Sequence, residues 1–334
     1  MRRRTIPGTE VALTELGFGA AVIGNLYAAT PDDVAEAAVA AAWDGGIRYY
    51  DTAPHYGLGL SERRLGAGLR DRPRDELVVS SKVGRLLVRN EHPTGQDDDL
   101  FDVPDDLRRV RDYSRDGVLR SIEDTLRRTG LDRLDVVYVH DPDEYWTQAA
   151  DEAMPALAEL RDAGVVGAIG AGMNSTTMLT RFLLETAADV VMLAGRYTLL
   201  DQSGLADVLP AAVELGKAVV AVGVFNSGLL AQARPADGAT FDYAPAPPEL
   251  LDRARRIAAV CARHGSSLPA AAVAFPLAHP AVVNVTLGMR TAEEVVTNLG
   301  HYRHEVPAEV WAELRSEGLL PLEAPVPGLT TGSG

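Results

Sequence analysis

The chain has 334 residues, 46% of them hydrophobic and 24% charged, a balance that supports a large buried core and excludes a disordered chain. Its formal net charge of −15 repels nucleic acid and anionic membrane surfaces at long range, which argues against both as partners. A lone cysteine, Cys261, excludes an internal disulfide or a cysteine-based metal site, and no apolar stretch approaches the ~20 residues of a membrane span.

The basic start Met1-Arg2-Arg3-Arg4 runs into polar residues where a signal peptide would have its apolar core, so a cytoplasmic protein is expected. Residues 5–14, with Pro7-Gly8-Thr9 between short strand-like arms, read as a hairpin able to plug the floor of a barrel. Apolar runs rich in valine and isoleucine then recur at 16–21, 47–52, 77–83, 134–140, 165–171, 190–195, 218–225 and 282–288. Between and after them lie segments of helical period at 31–44, 61–70, 118–129, 151–163, 176–186, 205–215, 248–264 and 292–299. This alternation predicts a parallel sheet with crossover helices, and its eight units predict a closed (β/α)₈ barrel, residues 1–334 forming one domain. After the third strand, residues 85–114 form a long polar insertion, acidic from Asp97 to Asp106 and basic at Arg108, Arg109 and Arg111. A loop of that length leaving the catalytic face reads as a lid or a disordered segment. Residues 323–334, rich in Pro, Gly and Thr, read as a frayed tail.

In such a barrel the site lies at the C-terminal ends of the strands. Asp51, Lys82 and His140 end strands 2, 3 and 4, and Tyr56 follows strand 2. Because side chains alternate along a strand, Ser80 and Lys82 share one face. Singly, each residue has a bland explanation: a solvated rim lysine, a turn aspartate, a satisfied core histidine. Together on adjacent strands they make a proton-transfer site. A nearby ammonium, Lys82, lowers the pKa of the Tyr56 phenol, Asp51 holds Lys82 charged, and a neutral His140 donates to the reacting oxygen. Such a set moves a proton but supplies no hydride, so a cofactor must. Gly170-Ala171-Gly172-Met173-Asn174-Ser175 superficially suggests a dinucleotide fingerprint, but it sits in the fifth unit and has serine at the third small position.

The stretch Asp51-Thr52-Ala53-Pro54-His55-Tyr56-Gly57 with Ser61-Glu62 and Leu65-Gly66 resembles the aldo-keto reductase signature. Ser80-Ser81-Lys82-Val83, Asp135 to His140 and Leu157 to Val166 are similar to further motifs of that family, in the same order, from about Thr14 to about Gly300. Arg196 to Asp201 and Asn226-Ser227-Gly228-Leu229-Leu230, with His55, most resemble the branch of D-threo-aldose 1-dehydrogenases and L-fucose dehydrogenases, with pyridoxal 4-dehydrogenase a near relative. The resemblance implies NAD(P)-dependent oxidation of a free aldose at C1, with no metal. It also implies a cofactor held across the barrel mouth by Asn174, Tyr197, Phe225, Asn226, Ser227, Gly228, Leu229, Gly288, Arg290, Glu294 and Asn298, and substrate contacts from His55 and Trp146. Glu294 stands where relatives often place an arginine facing the 2′-phosphate of NADPH, which favours NAD, with Arg290 able to compensate. Ala194 stands where a glutamine is common, leaving Asn174 for the nicotinamide amide. The alternatives are an NADPH-dependent aldehyde or ketone reductase acting on a small carbonyl, a pyridoxal 4-dehydrogenase, a Schiff-base aldolase using Lys82, and a nicotinamide-binding subunit without turnover.

Overall fold

In the computed structural model, which describes residues 1–242 and 244–328, the apolar runs form eight parallel strands that close into a barrel. They are β1 (Leu16–Gly19), β2 (Tyr49–Asp51), β3 (Val78–Val83), β4 (Val136–His140), β5 (Ala168–Met173), β6 (Val190–Ala194), β7 (Ala218–Val222) and β8 (Val282–Gly288). Each pairs with the next, and β8 pairs with β1. The outer helices are α1 (Asp32–Asp44), α2 (Leu60–Leu69), α3 (Arg115–Thr129), α4 (Met154–Asp162), α5 (Thr176–Glu185), α6 (Val208–Glu214), α7 (Pro248–Arg263), α8 (Leu268–Leu277), α9 (Ala292–Arg303) and α10 (Ala308–Ser316). α3 shows the local logic. The Ser114 hydroxyl accepts from the Gly117 amide at its start, Gly130 in the left-handed region closes its end, and Val118, Ile122 and Thr125 form the buried stripe.

Period-2 alternation decides what fills the barrel. Tyr49, Val78, Val136, Tyr138, Ala168, Val190, Met192, Ala218, Val220 and Val283 pack together inside it. The expected N-terminal hairpin forms between Arg3–Thr5 and Ala12–Thr14, and it adds Ile6 and Leu13 to this interior cluster, closing the floor. The same inward rows continue upward, so Asp51, Lys82 and His140 are the next inward positions above Tyr49, Ser80 and Tyr138. Gly170 belongs to this packing rather than to a phosphate loop, since a Cβ there would meet the Val190 carbonyl oxygen at 1.6 Å.

Four expectations shift. β5 begins at Ala168 rather than 165, because Val165 is half exposed and its amide closes the end of α4 on the Leu160 carbonyl. α8 was not foreseen because it is apolar all round, Leu268, Ala270 to Val273 and Phe275 all being buried, so no amphipathic stripe marks it. The insertion is largely ordered by pairing: Arg85–Arg89 runs antiparallel to Leu107–Arg111, and residues 90–106 form its tip. Asp105 organises that tip, accepting from the Thr94 and Gly95 amides. Finally, Ala324 and Val326 are buried against the core, so fraying does not begin at 323; residues 329–334 of that stretch lie outside the described residues.

Candidate active site

Register sets the catalytic rim. Asp51 pairs with Ser80 across β2 and β3, Lys82 with Tyr138 across β3 and β4, and His140 with Gly172 across β4 and β5. Lys82 Nζ donates to Asp51 Oδ2 at 2.6 Å and to the Thr52 carbonyl at 3.1 Å, with both charged side chains almost wholly buried. Beneath them the Ser80 hydroxyl donates to Asp51 Oδ1 at 2.7 Å and stands 2.9 Å from the Tyr49 hydroxyl, itself 3.3 Å from that of Tyr138. A buried chain of hydroxyls therefore aims the carboxylate at the lysine. Ser80 was legible as a residue on the lysine's face, whereas Tyr49 and Tyr138 read only as apolar strand residues.

Tyr56 follows β2 through Pro54, and its amide bonds to the Ala53 carbonyl, turning the phenol back over the rim. Lys82 Nζ lies 4.7 Å from its ring centroid, and the His140 ring meets it edge-on at 6.0 Å. Burial alone would discharge Lys82, but Asp51 and Tyr56 hold its pKa above the ordinary lysine value. Burial pushes the Tyr56 phenol up to about 12, against the pull of Lys82. The ammonium pulls the phenol's pKa down in the expected direction, but desolvation outweighs it. His140 is held well below the usual histidine value by burial, then by Arg85 and Lys82, so it is neutral.

These residues open into a cavity of about 360 Å³. His55, Tyr56, Lys82 and His140 line one side, Asn174, Met192 and Ala194 the back, and Asn226 and Ser227 the far side. The insertion roofs it with Asp99, Leu100 and Phe101. That roof is clamped to the loop after β1, the Tyr27 amide donating to the Leu100 carbonyl and the Asp102 amide to the Asn25 carbonyl, while Phe101 and Val103 pack with Leu58, Leu26 and Tyr56. Arg109 anchors it by a bidentate pair with Asp97, at 2.6 and 2.8 Å, and by donating to the His55 carbonyl.

On the far side the chain turns after β7 with Asn226, Ser227 and Gly228 all at positive φ (45°, 57° and 94°). Left-handed Asn and Ser are costly conformations that turns at binding sites retain. Asn226 is buried and lines the cavity, its amide nitrogen 3.4 Å from the Gly195 carbonyl, while its buried Oδ1 has no partner. An orphaned buried acceptor beside a left-handed turn and a proton-transfer site fits a nicotinamide nucleotide across the mouth. Gly288 ends β8 exposed, and Asn298 is nearly buried on α9.

Several expected contacts fall elsewhere. Tyr197 does not line the cavity: its buried ring packs on Phe275 at 4.9 Å and on His279 at 5.5 Å. Trp146 points outward from the short turn Trp146–Gln148, stacked edge-on against Phe182 with the Arg181 guanidinium 3.7 Å from its ring. Leu229 is core and Phe225 packs against that core, so this loop meets the cavity through Asn226 and Ser227. Arg290 is already committed, donating to the Leu26 and Ala28 carbonyls and to Thr30 Oγ1, while Glu294 accepts from the Arg290 amide. Asp141 and Asp242 enter the site without having been singled out, Asp99 was expected only within the acidic run of the insertion, and Arg85 reaches the rim from the first residue of the hairpin, a placement no barrel-strand period reveals.

A rim that moves protons but holds no hydride of its own belongs to a nicotinamide-dependent oxidoreductase built on a (β/α)₈ barrel. The Aldo/keto reductase family model matches residues 15–317, and the chain belongs to that family. It is 50% identical over 315 residues to a D-threo-aldose 1-dehydrogenase of a Pseudomonas species, covering 93% of this chain and 96% of that protein. It is 39% identical over 336 residues to a pyridoxal 4-dehydrogenase of Microbacterium luteolum, covering 95% and 98%. In fold it is similar to a glycerol dehydrogenase of Gluconobacter oxydans, with a TM-score of 0.76 at 24% identity over 99% of each chain. Among the described residues no helix is long and apolar enough to cross a membrane.

Proposed function

We propose that the enzyme oxidises a free aldose at its anomeric carbon to the lactone, with NAD preferred over NADP. The observation that carries this reading is the polar lining beside the catalytic residues: His55, Asp99, Asp141 and Asp143 border the cavity, a set suited to sugar hydroxyls rather than to an apolar carbonyl compound. The 50% identical relative is named for the same chemistry.

In this reading the cyclic hemiacetal sits with its anomeric hydroxyl toward Tyr56 and His140. Tyr56 Oη would take the hydroxyl proton as the carbon–oxygen bond becomes the lactone carbonyl. A nicotinamide nucleotide, when bound, would accept the hydride from the anomeric C–H bond. Neutral His140 donates to the oxygen as its bond shortens, and Lys82, held by Asp51, stabilises the phenolate that must form first. Asn174, Asn226 and Ser227 would hold the nicotinamide side of the nucleotide, and Gly288 and Asn298 its other end. Preference for NAD is supported by the Glu294 carboxylate and by the hydrogen bonds that hold the Arg290 guanidinium against the loop after β1.

A second reading, reduction of an aldehyde or ketone, is favoured by one observation: at a pKa of about 12 Tyr56 keeps its proton at neutral pH, the form that reduction uses. The two separate in one experiment. Fucose, galactose, arabinose and pyridoxal are offered with NAD and with NADP while cofactor reduction is followed, and simple aldehydes are offered with the reduced cofactors. The proposal expects aldose oxidation that quickens as pH rises through the alkaline range, since oxidation needs the phenolate. Robust aldehyde reduction with no aldose oxidation overturns it.

A further inference from the structure

Arg85 enters the site from an unusual direction. It opens the first arm of the insertion hairpin directly after Gly84, whose φ of 103° turns the chain off β3, and its guanidinium reaches back over the rim, largely buried. Nη1 lies 3.1 Å from His55 Nδ1, and Nη2 donates to Asp141 Oδ2 at 2.5 Å. A guanidinium carries only N–H donors, so the ring nitrogen it meets must accept. In the neutral imidazole the proton is then on Nε2.

Nε2 stands 3.8 Å from Asp99 Oδ2, too long for a direct hydrogen bond, and both residues line the cavity. A hydroxyl between them can accept from the ring and donate to the carboxylate, satisfying both. We propose that Arg85 is a positioning residue that fixes His55 as a neutral Nε2–H donor and, with Asp99 as the matching acceptor, makes a recognition pair for one substrate hydroxyl. This rests on reading the site as one for a hydroxylated substrate.

The surrounding charges agree with a neutral ring. His55 is faced by Arg85, Arg109 and Arg111 from the hairpin, Lys82 from β3, Asp99 from the hairpin tip, His140 from β4, and the rings of Tyr56 and Phe101. Burial first, then Arg85 and the other cations, hold its pKa down at about 2. Arg85 has a second effect through Asp141. That carboxylate lies 3.5 Å from His140 Nε2, near enough to pair with an imidazolium and raise its pKa. By engaging Asp141, Arg85 removes that partner and keeps the hydrogen-bonding histidine of the reaction uncharged as well.

The test reads the rings directly. In the full-length protein without cofactor or substrate, ¹⁵N-histidine NMR assigned with His55→Gln is expected to show His55 as the Nε2–H tautomer, with neither His55 nor His140 titrating between about pH 5 and 8. In Arg85→Met both rings should begin to take up protons within that window. kcat/KM for the aldose should gain an acid limb, and KM should rise about tenfold, the loss of one hydrogen-bond network member. Arg85→Lys, which retains a donor and a charge, should restore the neutral rings. Asp99→Asn should raise KM with little change in kcat. A wild-type His55 protonated on Nδ1, or titrating in the window, overturns the proposal whether or not any variant folds. Unchanged spectra and pH profile in Arg85→Met overturn the role of Arg85. If the spectra are as expected but no aldose is oxidised, the proposed function and the hydroxyl partner fall, while the fixed tautomer stands.

Discussion

The two sides of the barrel mouth are built on different principles. On the β2 to β4 side, Asp51, Lys82 and His140 are the last inward residues of strands whose lower rows are locked in the interior, and each is buried. On the β7 to β8 side the same mouth is shaped by loops, with Asn226 and Ser227 in left-handed turns and Gly288 exposed at a strand end. The strand side fixes atoms that must meet within a few tenths of an ångström during proton transfer. In the proposed function the loop side accepts a large cofactor and releases it. In that reading buried strand ends hold the chemistry, and turns at positive φ shape the binding side.

The sharpest way to break this comparison is on the strand side. Tyr56→Phe and Lys82→Met should each lower turnover by roughly 10² or more, the scale of a lost general acid-base, while nucleotide binding followed by fluorescence titration survives. They should differ in stability. Removing Lys82 strands the buried Asp51 carboxylate, which costs about 3–5 kcal/mol for a broken buried pair, and Tyr56→Phe strands no charge. Denaturant melts of both variants decide: near-normal turnover in either removes the catalytic assignment, and equal stabilities remove the argument about the buried pair.

This asymmetry also explains how much could be read from residues alone. Strands and helices with a clear period were legible, and so was the convergence of Asp51, Tyr56, Lys82 and His140, because inward alternation is a local rule. Ser80 was within reach of the same rule. Arg85 and Asp141 were not, since one depends on a turn at Gly84 and the other on a φ of 41° just past β4, and neither leaves a periodic trace. Tyr197 and Trp146, expected from the resemblance alone, border other elements instead of the cavity for a related reason: the turn that carries each ring decides whether it faces the cavity or a neighbouring helix. α8 was hidden by being too apolar to show a face.

A smaller effect sharpens the comparison at the roof, a loop wall lying over the strand side. Arg109→Ala removes the bidentate partner of Asp97, whose carboxylate is almost fully buried, together with the bond to the His55 carbonyl. The roof should loosen without displacing the catalytic residues. The expected outcome is a KM for the aldose raised about tenfold, kcat changed by less, and faster proteolysis within residues 90–106. Tenfold in KM is about 1.4 kcal/mol, the part of the three lost hydrogen bonds that the substrate feels through the roof. An unchanged KM with an intact roof would show that the Tyr27, Asn25 and Phe101 contacts hold it closed by themselves.

The smallest expected effect lies on the loop side, where adaptability should soften the consequence of any one change. Glu294 is exposed in the first turn of α9, accepts from the Arg290 amide, and so places a carboxylate where the helix N-terminus would otherwise welcome an anion. A 2′-phosphate arriving there meets like charge, and Arg290 compensates less than a free arginine would, because three of its donors already hold the loop after β1. Glu294→Arg replaces repulsion by attraction at a solvent-screened position. Exposed charge pairs contribute at most about 1 kcal/mol, so the ratio of kcat/KM for NADP to that for NAD should rise only about fivefold, and should shrink again as salt is added. The native protein should favour NAD by a comparable margin. Equal use of both nucleotides, unchanged by the substitution, would mean that selectivity is set elsewhere along the mouth. A shift far larger than this, insensitive to salt, would mean that the nucleotide buries its ribose against α9, making this side as closely fitted as the strand side.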